Sequence, residues 1–408
     1  MKAPNKPSNL PISNMSISML GTLPPVKGIS DYCAELVQAL SKHHLGNAEN
    51  NVEVDFISFK RIYTEFLYPG GTKDPNKKFD YQTYSNVHER SIITYYNPFS
   101  WAWAGLSSKS KILHVQWWTT VLAPMFFTSM LFAKLRRKKI IMTVHNVVGH
   151  ESSWVDRLVS RIIFKFPDYF ILHSENSIVQ FNKFVNAKSE KVRPDRIFKI
   201  PHGILDMYKD NSISREDARL KLGIKQDAPV ILCFGNIREY KGVDIMIEAF
   251  AMIKQKMPNA ILIIAGKSWI DWTPNQALID KHKLKDSIIT YLDYVPSNEV
   301  SYYFRASDVV ALPYKHFDSQ SGPGNIALAF HTPLVVTDQG GLPDLLKNKE
   351  FVIKTNDVDA LAQKTIKILK DKKLADSLSR DAEDLCKEFS WESVAKKTAE
   401  LYDHVSNS

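Results

Sequence analysis

FGNIREYKGVDIMIEAF, residues 234–250, reads as a strand end, a short loop and a helix. The strand VILCFG closes at Gly235, the loop carries Arg238 and Lys241, and Gly242 follows. Ile245, Ile247, Ala249, Phe250 and Ile253 then recur at the spacing of an amphipathic helix laid on a sheet. Two cations at the start of a helix, beside its unbonded N–H groups and the positive end of its dipole, suit a diphosphate. An ordinary basic surface loop has the same composition, so the motif takes its meaning from its neighbours.

Downstream, strand and helix keep alternating: AILIIAG, SIITYLDYV, VVALPY and LVVTD read as strands, NEVSYYFRA and GNIALAFH as helices. The loop at 318–343 places Ser321, Gly322, Gly324 and Asn325 between a strand and a helix, and Gly340 and Gly341 follow the next strand. Glycines there let backbone amides approach a sugar or phosphate. Upstream, a polar stretch at 206–227 separates two halves. Before it, apolar runs at 15–20, 111–115, 140–144, 169–172 and 198–200 end in GTLPPVKG, QWW, HNVVGH, HSEN and PHG. The pattern predicts an α/β chain with two doubly wound parallel sheets, functional residues gathering after strand C-termini.

Composition agrees with this reading. A chain of 408 residues exceeds one ordinary core, and 44% hydrophobic with 24% charged residues describes a globular protein. Cys33, Cys233 and Cys386 form no CxxC pair, which fits a reducing cytosol and a cytoplasmic protein. The opening MKAPNKPSNLPISN is polar and lacks a signal peptide's apolar run, so residues 1–14 read as a disordered leader. TTVLAPMFFTSMLFA, 119–133, is shorter than the ~20 residues a membrane span needs and reads as a buried or interfacial helix. The net charge is +9, and Lys134, Arg136, Arg137, Lys138 and Lys139 directly follow that helix. Two readings stand for them: a solvated helix end, or docking on an anionic membrane surface at its inner face. No zinc-finger spacing, RNP motif or basic-aromatic groove supports nucleic-acid binding.

The ordered set GTLPPVKG, HVQWW, TVHNVVGHE, HSE, PHG, IREYKG, QSG and VVTDQGGLP resembles the family-4 retaining glycosyltransferases, over nearly the whole chain. It is most similar to the subgroup with H-Q-W-W, H-N-V-x-x-H-E, I-R-x-Y-K-G and Q-S-G motifs. The resemblance implies a GT-B fold: two Rossmann-like domains facing a cleft, an acceptor-side domain at 15–205 and a nucleotide-sugar domain at 206–388. The final helix, within 389–408, is expected to cross back onto the first domain. It further implies a nucleotide-sugar donor, a glycan or lipid-linked acceptor, and no cofactor or essential metal. By position, Lys241 contacts the donor diphosphate with Arg238 beside it, Gly28 and Lys27 match the loop that approaches the phosphates, and His145 matches the histidine near the sugar. Ser321, Gly322, Gly324 and Asn325 fall on the donor side; Trp117, Trp118, His150 and Glu151 are acceptor-side candidates.

The chain departs from the commoner family pattern at two places. The arginine usually sits five residues before the lysine, where this chain has Asn236. The paired glutamates of the C-terminal domain are replaced by Asp318 and Ile326. Asp357 and Asp359 spell D-x-D but open a predicted helix, where capping explains them. Trp117 and Trp118 suit either core packing or stacking on a sugar ring. The implied chemistry is transfer of a glycosyl group to a hydroxyl with retention, the diphosphate held electrostatically by Lys241, Arg238 and helix-end amides. The rivals are a donor-hydrolysing GT-B enzyme and a non-catalytic GT-B protein that binds nucleotide or glycan.

Overall fold

The computed structural model describes residues 15–26, 28–42, 52–62, 73, 78–80, 83–147, 153–185, 193–317 and 320–408. The proposed leader at 1–14, and Lys27, His150, Glu151 and Asp318, lie outside the described residues. The described chain divides into two compact units. One is drawn from Met1–Leu172, Phe184–Ile200 and Trp391–Ser408, the other from His173–Lys183 and Pro201–Ser390.

The first unit holds seven strands: β1 (Ser16–Leu20), β2 (Glu53–Arg61), β3 (Val87–Thr94), β4 (Ile112–Trp117), β5 (Lys139–Val144), β6 (Tyr169–Leu172) and β7 (Ile197–Lys199). Their order is β3-β2-β1-β4-β5-β6-β7, and every pairing is parallel. The second unit holds β8 (Val230–Phe234), β9 (Ile261–Ala265), β10 (Ile288–Tyr291), β11 (Val309–Leu312), β12 (Leu334–Thr337) and β13 (Val352–Ile353). Their order β10-β9-β8-β11-β12-β13 repeats the same winding, again all parallel. Parallel strands are covered on both faces, which is why VILCF and ILIIA read as continuous apolar runs rather than alternating ones.

Strand order reverses between β1 and β4 in one unit and between β8 and β11 in the other. Helices leave the sheet in opposite directions at such a point and open a crevice at the strand C-termini. In the second unit the chain turns there tightly. A 3₁₀ turn, Glu239–Lys241, ends at Gly242, whose φ of 66° is left-handed, and the helix Val243–Lys256 starts immediately. A Cβ at Gly242 would collide with the Pro313 carbonyl oxygen. The helix buries Val243, Ile245, Met246, Ile247, Ala249, Phe250 and Ile253 and places Lys254 and Lys256 at its C-terminal end, where cations suit the dipole. Arg219 is fully buried. Its Nε donates to the Ala306 carbonyl at 3.1 Å and its Nη2 to Asp308 at 3.0 Å, while Asp308 also accepts from the Val230 amide at 2.8 Å. One ion pair thereby clamps the starts of β8 and β11 together.

In the first unit the helix Ser30–Lys42 packs Tyr32, Leu36, Val37 and Leu40 into a core shared with Trp391, Val394, Leu401 and Tyr402 of the helix Trp391–Ser406. Asp55 on β2 is buried but satisfied: Arg90 on β3 donates to both its oxygens at 2.7 Å, and Ser18 on β1 donates at 2.9 Å.

Several local features differ from the sequence reading. The strands β2, β3 and β13 are additional to those read from the pattern, and β10 stops at Tyr291. The β4 strand runs two residues past Val115, through Trp117. Residues 119–133 fold as a 3₁₀ turn, Thr120–Leu122, and a helix, Ala123–Leu135, with Pro124 in the first turn where its missing N–H costs nothing. Among the described residues no helix is long and apolar enough to cross a membrane. Asp357 caps the helix Val358–Lys370 by accepting from the Ala360 amide at 2.8 Å.

Gly242→Ala is expected to cost more than the ~1–2 kcal/mol of a left-handed alanine, because the collision with Pro313 adds to it. Calorimetry of the purified chain would show a lowered transition, whereas Gly223→Ala, with an open surround, would lose only the backbone component.

Candidate active site

The crevice at β8 and β11 contains a cavity of about 290 Å³ lined by Arg238, Tyr240, Lys241, Lys267, Tyr294 and Gly322 among others. Lys241 is 8% exposed, and among the described residues no carboxylate pairs with it. Its Nζ donates to Tyr314 Oη at 2.5 Å and lies 4.2 Å from the centre of the Tyr314 ring. Tyr314 Oη is in turn 3.0 Å from Ser321 Oγ, which accepts from the Gly324 amide and caps the helix Gly322–Ala329. Burial pushes the Lys241 ammonium down to about 8; the Arg238 charge adds to that, and only Cys233 opposes it. A buried cation without an anionic partner is costly, and a bound anion would relieve it.

Arg238 is exposed and lines the same cavity, its guanidinium 5.1 Å from the centre of the Trp269 ring. Lys267 lies 5.3 Å from that ring, so two cations share one indole. Of the serine–glycine loop, Gly322 reaches the cavity wall. Ser321 and Gly324 do not offer free groups: both are buried, the hydroxyl and amide bond each other, and a Cβ at Gly324 would strike Leu345. Their part is to hold Tyr314 and the helix start. Asn325 is also buried, and its Nδ2 has no hydrogen-bond partner among the described residues. Tyr314, the hinge of this arrangement, is not singled out by the sequence pattern, since VVALPY reads as an apolar strand end.

In the first unit the crevice falls between β1 and β4. Gly28 follows β1 with φ of 118°, and a Cβ there would lie 3.7 Å from Trp118 Nε1. The tryptophan pair separates by one residue. Trp117 is 1% exposed and packs on Phe126 and Phe164, so its ring belongs to the core and cannot stack on a sugar. Trp118 is half-buried against Phe59 and Phe126, and its carbonyl accepts from Asn146 Nδ2 at 3.1 Å.

His145 closes β5, its amide donating to the Trp117 carbonyl at 2.9 Å. Its Nε2 is 3.0 Å from Gln116 Oε1, Gln116 Nε2 is 3.2 Å from His114 Nε2, and His114 Nδ1 is 2.7 Å from Tyr402 Oη. Burial pushes His114 down to about 3, so it is neutral. His114 Nε2 is also 2.7 Å from Thr143 Oγ1; with His114 Nδ1–H donating to Tyr402, Nε2 accepts from the Thr143 hydroxyl and from Gln116, and His145 Nε2–H donates to Gln116. The returning helix thus helps to orient His145. Gln116, quoted only within HVQWW, and Tyr402 are not site candidates in the sequence reading because their role depends on contacts between distant segments. Among the described residues no cluster of His, Cys, Asp or Glu is arranged to hold a metal.

Comparison with known proteins gives these crevices a context. Residues 214–385 match the family of glycosyl transferases group 1. Over 297 residues the chain is 25% identical to the D-inositol 3-phosphate glycosyltransferase of Corynebacterium glutamicum, an alignment spanning 68% of this chain and 69% of that protein. It is 24% identical over 293 residues to the phosphatidylinositol N-acetylglucosaminyltransferase GPI3 subunit of Saccharomyces cerevisiae, spanning 68% and 60% respectively. Other relatives are spanned over about half their length, 52% and 54% in two cases. The sucrose-phosphate synthase of Thermosynechococcus elongatus shares the fold at a TM-score of 0.69 and 18% identity, covering 96% of this chain and 99% of that one. Anabaena Alr3699/HepE, solved in complex with UDP-glucose, superposes at 0.68 and 14% identity, covering 96% and 100%. Residues 214–385 therefore carry the glycosyl transferases group 1 module on a chain of GT-B type, and the protein is a glycosyl-transferring enzyme.

Proposed function

We propose that the protein moves a glycosyl group from a nucleoside-diphosphate sugar to a hydroxyl of a glycan or lipid-linked acceptor, with retention, in polysaccharide or glycoconjugate biosynthesis at the cytoplasmic face of a membrane. The observation that carries this reading is the buried Lys241 at the switch point of the second unit, paired with no carboxylate among the described residues, with Arg238 at the same cavity. Relatives named for transfer to inositol phosphate and phosphatidylinositol, and a fold neighbour solved with UDP-glucose, support the substrate classes.

Lys241 and Arg238 bind the diphosphate, and Lys241 neutralises the charge that grows on it as the glycosidic C–O bond breaks. The acceptor oxygen forms the new bond on the same face, and its proton passes to the departing phosphate. Retention and this front-face course follow from the family resemblance. The lining of the cavity includes Arg238, Lys241 and Lys267 and, among the described residues, no carboxylate, which suits stabilisation of a leaving diphosphate. Tyr314 and Ser321 hold the lysine in place. Gly28, Trp118 and His145 form the acceptor-side wall in the first unit.

A panel of nucleotide sugars screened by thermal shift, followed by mass spectrometry of transfer products, tests the reading. At least one donor should stabilise the chain, and Lys241→Ala should lower kcat/KM by about 100-fold or more, the scale of losing one charge-stabilising donor. Stabilisation by no nucleotide sugar would sink the proposal.

The lysine also sets a pH dependence. It binds diphosphate when protonated, so kcat/KM for the donor should fall as pH rises through about 8. Lys241→Arg, permanently charged, should abolish that fall. Stability moves the other way. The unfolded lysine titrates near its ordinary 10.5 and the folded one near 8, so between those values the unfolded state binds more protons and stability rises with pH. Opposite slopes of activity and Tm over that window are the expected signature.

A further inference from the structure

The helix Trp154–Ile163 of the first unit turns an apolar face outward. Ser160 and Ile163 are buried and fix its inner side. Trp154 is 76% exposed, and Val155, Leu158 and Ile162 are also exposed. At about 100° per residue these four span one face, with exposed Arg157 along one edge of it; Arg161 beside it is half-buried, its guanidinium 5.1 Å from the centre of the Phe184 ring. The neighbouring turn and helix add exposed Val121, Leu131 and Leu135. Between them runs a groove of about 390 Å³ floored by Ala123, Phe127, Val159 and Ile163.

Among the described residues, the acidic groups at this face are already engaged. Asp156 accepts from Thr120 Oγ1 at 2.6 Å and from the Ser153 amide at 2.9 Å. Asp168 holds Lys134 through both oxygens at 2.6 Å. Of the basic run after the helix Ala123–Leu135, Lys134 is taken by that pair, and Lys138 is buried against the Ser108 and Ser110 carbonyls. Arg136, Arg137 and Lys139 are exposed. The two readings of the run therefore divide by residue: two lysines are structural and three cations remain at the surface.

We propose that this face docks the protein on a membrane surface rich in anionic lipid. The inference rests on the reading of the first unit as the acceptor side and narrows the acceptor to a lipid-linked one. Apolar side chains with a tryptophan enter the headgroup region, while arginines and lysines at the edge meet anionic headgroups. The groove also begins next to the proposed acceptor wall: Thr120 stands two residues after Trp118, and the exposed helix follows His145 in sequence. A lipid-linked acceptor whose head reaches Trp118 keeps its hydrocarbon in the bilayer beneath the docked face.

Sedimentation of the full chain with vesicles tests the proposal. Phosphatidylcholine vesicles containing phosphatidylglycerol should carry the protein down, and phosphatidylcholine alone should do so far less. The double variant Leu158→Glu and Ile162→Glu should weaken binding by about tenfold or more, and added salt should weaken the parent's binding too. Trp154→Ala, at a side chain three-quarters exposed, guards against misfolding and should weaken binding several-fold with an unchanged melting curve. No binding of the parent to anionic vesicles, or equal binding by the variants, overturns the inference. So does a face whose substitution only dissociates a dimer in light scattering. Transfer to a water-soluble acceptor separates the two readings: if it persists without vesicle binding, only the docking fails; if vesicles bind but no donor is used, only the proposed reaction fails.

Discussion

The proposed site depends on where two parallel sheets reverse their winding. A right-handed crossover returns each helix to a fixed side of its sheet, so the central strands send their following loops apart and leave a crevice that no helix can fill. Between β8 and β11 that crevice receives a lysine from one loop and a tyrosine–serine pair from the other. The pairing of Val309 with Ile231 sets the two strands side by side, and the Arg219–Asp308 clamp fixes their starts. Gly242 makes the turn tight enough for Lys241 to point inward rather than into solvent. Stability at the base of the sheet and charge at its top are thus two ends of one construction.

Lys241 shows how a fold can retain an unfavourable group. An ammonium taken out of water without a counter-ion raises the free energy of the folded state, and the tyrosine hydroxyl and ring return only part of it. A bound anion would return the remainder. His145 is treated differently. It is half-buried, and it is tied through neutral donors and acceptors to the far side of the unit. One crevice is preorganised electrostatically, the other by hydrogen bonding.

The sequence carried the winding of both sheets, the basic loop and the glycine-rich loops, because each is local: an apolar run, a turn and a helix start lie within twenty residues of each other. What it hid was non-local. Asp55 and Arg90 interrupt the apolar runs of β2 and β3, and only their mutual pairing makes strands of them. Trp117 and Trp118 look alike in sequence; side chains alternate faces along a strand, so the point at which β4 ends decides which one is core. Tyr314 resembles any aromatic at a strand end until its hydroxyl is found against Lys241. Ser321 and Gly324 were legible as a helix start, but their use as mutual partners required the packing of Leu345 and Tyr314.

The returning helix has a consequence for how the molecule is made. His114 and Tyr402 are hydrogen-bonded across 288 positions of chain, in a core that also takes Trp391, Val394 and Leu401. The unit whose strands leave the ribosome first therefore cannot close its core until the other has been synthesised. During that interval the face awaiting the helix is open to water and to neighbouring chains, a period of exposure that long-range closure imposes on any nascent protein. The second unit, whose core is drawn from one nearly continuous stretch, is able to form meanwhile and so shortens the effective loop that the last helix must bridge.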